Sequence, residues 1–188
     1  MQPYVAKDFS HLLGTPGFSD ALLNNHFTLY QGYVTNTNKL IDLLKTKEAG
    51  TPEYGELHRR FGWEWNGMRL HELYFGNLGK HGVPLSERIL KKLIETSWGT
   101  VENWEKEFCG MAAMRGIGWV ILSHDKKEGK LFNVWVNEHD AGHLAGLTPL
   151  LVMDVFEHAF MVDYGLKRAD YIAAFMAAID WHAVEERI

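Results

Sequence analysis

An aspartate and a histidine stand four residues apart in Asp154-Val155-Phe156-Glu157-His158-Ala159-Phe160, inside an apolar run from Leu150 to Met161. A fold that buries this run must bury a carboxylate and an imidazole, which costs free energy unless each finds a partner. Two solutions are available. His158 can be a core histidine bonded to Asp154 or to a carbonyl. Alternatively both groups bind a metal ion, for which carboxylate and imidazole are ordinary ligands. The pair alone leaves both open.

Composition narrows the field. A chain of 188 residues, 46% apolar, suits one compact unit of two lobes with a sizeable core. No apolar run reaches the roughly 18 residues of a membrane span. The start, Met1-Gln-Pro-Tyr-Val-Ala-Lys-Asp8, lacks the basic end and apolar centre of a signal peptide. Cys109 is the only cysteine, so an intramolecular disulfide is excluded and a reducing, cytoplasmic setting is expected. Net charge is −5 and no Lys/Arg cluster forms a nucleic-acid footprint. Ten His and seven Trp are many for this length and hint at a metal or redox site.

Periodicity organises the first half as helices. Ser19 is a candidate N-cap for a helix over about 20–45, with Leu22, His26, Leu29, Tyr33, Leu40 and Leu44 near one stripe. Gly50-Thr51-Pro52 breaks the chain. A second helix over about 53–76 places Trp63, Leu70, His71 and Tyr74 on one face. Such an αα-hairpin presents His26 and His71 inward. Gly76 to Pro84 reads as a linker between an N-terminal helical hairpin, 1–82, and a C-terminal α/β lobe, 83–188. In that lobe a helix over 86–96 capped by Ser86 and another over 101–114 precede a hairpin of strands, Gly118–His124 and Leu131–Asn137. A polar loop, 138–146, carries His139 and His143. A third strand near 150–155 and a helix over 167–186 complete the chain. The fold class is α+β, with a small three-stranded antiparallel sheet.

Four groups stand out: His26, His71, Asp154 and His158. Three imidazoles and one carboxylate in apolar surroundings suit Fe or Mn. A thiolate site is excluded, because Cys109 stands alone.

At these residues the chain resembles the iron/manganese superoxide dismutases, over nearly its full length. Their most specific motif, Asp-x-Trp-Glu-His-Ala-Tyr-Tyr, is matched by Asp154-Val-Phe-Glu-His158-Ala-Phe-Met161. Pro149-Leu-Leu before it and Asp163-Tyr164 after it also match. Gly116-Ile-Gly-Trp119 is similar to Gly-Ser-Gly-Trp, and Tyr33-Val-Thr-Asn36 to Tyr-Val-Asn-Asn. Leu70-His71-Glu-Leu-Tyr-Phe75 resembles the second-helix His followed by Phe-Tyr-Trp. Arg168, Asp170-Tyr171 and Asp180-Trp181 resemble the C-terminal landmarks.

The resemblance implies that His26, His71, Asp154 and His158 ligate one Fe or Mn ion between the two lobes. A fifth position would hold water or hydroxide, whose pKa the metal strongly lowers. The metal would alternate between +3 and +2, oxidising one superoxide to O₂ and reducing the next to H₂O₂. Trp63, Trp119 and Phe156 would form an aromatic shell that limits access. The resemblance also implies a gateway role for Tyr33. His139, 15 residues before Asp154, would hold the solvent ligand as in members with His at that spacing, with His143 as its rival. Glu157 would reach a partner subunit's ligand His in a homodimer or tetramer. Lys167 and Arg168 would draw the anion in locally, against the overall negative charge.

Three departures qualify the resemblance. The ligand His usually lies eight residues before the gateway Tyr, but His26 lies seven before Tyr33, and ungapped alignment would put Asn25 in the ligand column. A π-bulge is a one-residue insertion, so the first helix is expected to be regular where other members bulge. Next, a His midway between ligand and Tyr, and its Tyr partner across the dimer, are replaced by Leu29 or Tyr30 and by Met161. That puts the cross-dimer proton route in doubt and leaves Tyr30 as a possible substitute hydroxyl. Finally, Phe75 and Phe156 stand where Trp is common. Competing readings are a non-haem iron oxygenase with two His and one carboxylate, against which His71 is a surplus ligand, and a non-catalytic metal protein on the same scaffold.

Overall fold

The computed structural model describes residues 2–86 and 88–188. Helices α1, Asp20–Leu44, and α2, Pro52–Phe75, pack together as a hairpin. Ser19 caps α1, its hydroxyl oxygen accepting from the Leu22 N–H at 3.0 Å. Ser19 is itself clamped, donating its N–H and hydroxyl to the Asp163 carboxylate at 2.7 and 2.6 Å. Thr51 caps α2, with Pro52 in the first turn, where its missing N–H costs nothing.

The inward face of α1 is Leu22, Leu23, His26, Tyr30, Val34, Thr37 and Leu40. Leu29, expected on that stripe, is 36% exposed, and Tyr30 is buried instead. The reason is spacing: residue 30 lies one turn from His26, on the same face, whereas 29 falls on its edge. Between His26 and Tyr33 the helix is uninterrupted α, as the shortened spacing predicts.

The second half contains α3 (Ile89–Trp98), α4 (Val101–Ala112), β1 (Gly118–Asp125), β2 (Lys130–Asn137) and β3 (Thr148–Asp154). After them come α5 (Met161–Tyr164), α6 (Arg168–Ala177) and α7 (Trp181–Glu185). The three strands form an antiparallel sheet in the order β2-β1-β3. Central β1 is buried from Gly118 to His124. One apolar core runs through both halves, from Leu22 and Tyr74 to Trp119 and Phe175.

Two expectations are corrected. The helix expected from Ser86 begins at Ile89, and Glu185 takes the capping role by accepting from the Leu90 N–H; residue 87 lies outside the described residues. The single helix expected over 167–186 is two. Ile179 and Asp180 leave helical geometry to bridge Leu78 and Val83 of the linker. Asp180 then caps α7, accepting from the N–H groups of His182 and Ala183. An Asp inside a helical pattern is also an N-cap signal, and here the cap wins. The linker is thereby sewn into the C-terminal half: Val83 donates to the Ile179 carbonyl at 2.9 Å and Asp180 to that of Asn77 at 2.7 Å. Among the described residues no helix is long and apolar enough to cross a membrane.

Candidate metal centre

The four residues singled out in the sequence converge. His26 comes from α1, His71 from α2, Asp154 from the end of β3, and His158 from a short 3-10 turn, Glu157–Ala159. Their ligand atoms all lie within 4.8 Å of one another. Asp154 is paired to Trp119 across β1, and its carbonyl accepts from the Tyr171 hydroxyl at 2.6 Å. Its Oδ1 accepts from the Phe156 N–H at 2.8 Å. That leaves Oδ2 facing three imidazoles: Nε2 of His158 at 3.1 Å, of His26 at 3.2 Å and of His71 at 3.7 Å.

His71 decides between the two readings of the buried pair. Its Nδ1–H donates to the Gly67 carbonyl at 2.6 Å, so Nε2 of the neutral ring carries a lone pair. That nitrogen is buried without a hydrogen-bond partner, and it faces a carboxylate oxygen, another acceptor. Protonation would relieve the clash, but burial and the neighbouring His26 hold the His71 pKa well below the usual imidazole value. Burial likewise lowers the His26 pKa, against the pull of Asp154. For Asp154 burial works upward, yet the charge and hydrogen bonds of His158 and His26 outweigh it, and the carboxyl stays ionised far below its ordinary range. A buried carboxylate oxygen that gathers three imidazole nitrogens, one of them with an unpartnered lone pair, is a cation site, and three nitrogens with one oxygen fit Fe or Mn. His158 is the one ligand with a partly open side chain, at 30% exposure.

Beside the cluster, His139 is fully buried. The Trp119 indole N–H donates to its Nδ1 at 3.0 Å, and its Nε2 lies 2.6 Å from the Tyr33 hydroxyl oxygen. An indole can only donate, so neutral His139 holds its proton on Nε2 and gives it to Tyr33. Burial pushes the His139 pKa down to about 4, which keeps the ring neutral. Burial raises the Tyr33 pKa, as do the charges of Asp154 and Glu64. Glu138 sits at φ 53°, a left-handed conformation uncommon for a residue with a side chain. It turns the chain so that the next residue points inward. His143, the rival, is exposed and donates from Nε2 to the His139 carbonyl at 2.9 Å. The expected aromatic shell is present. Trp63 lies 4.7 Å from His139, Trp119 lies 5.0 Å from His71, and Phe156 is stacked between His139 and His158 at 4.8 and 5.2 Å.

One residue of the site escaped the sequence reading. Gly67 lies one turn before His71 and gives it the carbonyl that fixes its tautomer. A Cβ at Gly67 would stand 2.5 Å from Cδ1 of Tyr33. Only the four-residue spacing to His71 hints at this.

The altered relay positions are also placed. Leu29 and Met161 are 36% and 40% exposed. The buried Tyr30 hydroxyl accepts from the Lys7 N–H at 3.0 Å and donates to Glu72 at 3.1 Å. Burial pushes its pKa up to about 12. That hydroxyl is bonded to Lys7 and Glu72, away from the ligand cluster. Glu157 is exposed. Arg168 donates to the Met114 and Gly116 carbonyls, each at 3.0 Å, while its Nε and Nη2 are buried without a partner.

Comparison with known proteins agrees with this geometry. Residues 86–187 match the model of the iron/manganese superoxide dismutases, C-terminal domain. An iron superoxide dismutase of Cupriavidus metallidurans is 37% identical over 177 residues, covering 91% of this chain and 88% of that protein. An iron superoxide dismutase of Aquifex pyrophilus is 37% identical over 190 residues, covering 96% and 89%. A manganese superoxide dismutase of Haloferax volcanii is 36% identical over 171 residues, covering 88% and 84%. With its C-terminal half matched and these relatives aligned along most of its length, the chain belongs to the iron/manganese superoxide dismutase family.

Proposed function

We propose that the protein is a superoxide dismutase that holds one Fe or Mn ion on His26, His71, Asp154 and His158. The observation that carries this reading is the buried, unpartnered Nε2 of His71 opposite Asp154 Oδ2. When bound, the ion supplies one-electron exchange by alternating between +3 and +2. One superoxide leaves as O₂; the next takes up an electron and two protons and leaves as H₂O₂.

The chain's own groups do the rest. The lobes 1–82 and 83–188 contribute two ligands each. Phe156, Trp63 and Trp119 exclude bulk water and admit only a small anion. His139 donates to Tyr33, which leaves the Tyr33 hydroxyl hydrogen free for a water or an anion in the site. Tyr33 and His139 therefore position and deliver protons. Arg168 and Lys167 supply local positive charge to a chain whose net charge is −5.

The protein acts in this reading as a cytoplasmic homodimer or tetramer. The exposed Glu157 beside partly exposed His158 supports contact with a second copy, and Met161 (40%) and Val162 (54%), a few residues along the chain, add exposed apolar area. An oxygenase using three protein ligands would leave His71 without a role.

The test is reconstitution with each metal separately, followed by metal analysis and a dismutation assay. Activity is expected with Fe, Mn or both. Fully loaded protein that is inactive with either ion would end this reading.

A further inference from the structure

Away from the metal site a groove of about 640 Å³ lies against α2, between the N-terminal arm and the start of β3. Its volume is that of a small-molecule site. Phe9, Trp65, Leu73 and Pro149 give it apolar sides, and Lys7, Arg69, Glu72 and Arg187 give it charge. The charges do not balance. The single carboxylate, Glu72, already serves two cations, Arg69 at 2.7 Å and Lys7 at 3.2 Å.

Among the described residues Arg187 has neutral partners alone. Its Nη1 donates to Asn77 Oδ1 at 2.5 Å and to the Leu150 carbonyl, and its Nη2 donates to the Leu73 carbonyl at 3.1 Å. A guanidinium has five N–H donors. Those left over sit on Nε and Nη2, neighbouring nitrogens of the kind that grip a carboxylate side-on. Burial lowers the Arg187 pKa to about 10 and no carboxylate offsets that loss. A half-buried cation without a counter-charge is unfavourable, and an anion in the groove would correct it.

We propose that this groove binds a small amphipathic carboxylate, its head group on Arg187 and Lys7 and its apolar body along Phe9, Trp65 and Pro149. The proposal stands apart from the metal chemistry. It rests on the surplus of cations, the free guanidinium donors and the apolar sides together.

The experiment is isothermal titration calorimetry of the metal-loaded protein with octanoate, inorganic phosphate and 1-octanol. Octanoate is expected to bind at one site per chain, with phosphate and octanol each at least about ten-fold weaker. Lys7→Gln, on the exposed arm, is expected to weaken octanoate about five-fold, the size of an exposed charge contact. Arg187→Gln should weaken it further, and Lys7→Gln keeps the test valid should Arg187→Gln fail to fold. Metal-free protein should bind octanoate equally well. Equal binding of octanol, equal binding of phosphate, no saturable binding, or loss of binding with the metal would each overturn the proposal.

Discussion

Gly67 and Tyr33 interlock: the tyrosine ring occupies the space where a Cβ on the glycine would be, 2.5 Å from Cδ1. Gly67→Ala should therefore push Tyr33 off His139 while leaving the Gly67 carbonyl bond to His71. Overpacking of this kind costs about 1–3 kcal/mol. We expect a lowered melting temperature together with a lowered kcat. A variant matching the parent in both would refute the interlock.

The Trp119 indole bond to His139 predicts a tautomer. In protein loaded with a diamagnetic ion, nitrogen NMR of His139 should show the proton on Nε2. Trp119→Phe removes the donor, at a cost of about 1–3 kcal/mol for a buried acceptor left bare. A spectrum with the proton on Nδ1 in the parent protein would contradict the arrangement.

His139, His26 and His71 all have imidazole pKa values depressed by burial. In metal-free protein the unfolded chain therefore binds more protons than the folded one below the ordinary value of 6.5. Stability should be full above pH 6.5 and fall as the pH drops toward about 4, the folded value for His139. Denaturant melts at a series of pH values measure this. A His139→Gln chain should show a shallower decline; an identical one would remove His139 from the account.

His158→Ala should abolish metal retention, since it removes one of four ligands and leaves Asp154 a charge with fewer partners. Metal analysis reads this directly, and full occupancy in the variant would strike His158 from the site.

Tyr30 and Tyr33 should part company. Tyr30→Phe loses bonds to Glu72 and Lys7 and should cost about 1–2 kcal/mol of stability with kcat unchanged. Tyr33→Phe should slow proton-limited turnover and also cost about 1–3 kcal/mol of stability, because it strips the buried His139 Nε2–H of its acceptor. If Tyr30→Phe slows turnover as much as Tyr33→Phe, Tyr30 belongs to the proton path after all.

The clustered residues were legible in the sequence because each is a polar group in an apolar stretch. His26 and His71 follow helical spacing, and Asp154 ends a strand. His139 was legible through its distance from Asp154 in the family resemblance, not through periodicity, because it sits in a loop. Gly67 was not legible, since its part is played by a missing side chain and a carbonyl. Leu29 was misplaced on the buried stripe for a geometric reason: one residue of register on a helix separates the buried face, which takes Tyr30, from its rim. The break at Ala178–Asp180 was hidden because Ile179 and Trp181 fit a helical stripe, while the bridges that end the helix come from the distant linker.

The clamp of Ser19 on Asp163 joins residues 144 positions apart. It closes a loop that includes most of the chain, and large loops are entropically slow to close. Both ends flank ligands, His26 on one side and His158 on the other. Assembly of the four-residue cluster is thus expected to come late, after the hairpin and the sheet exist separately. A nascent chain would hold two half-sites rather than a weak whole one, so an ion that arrives early meets no competent cage. Pulse-labelled hydrogen exchange should find the Ser19 amide among the last to gain protection.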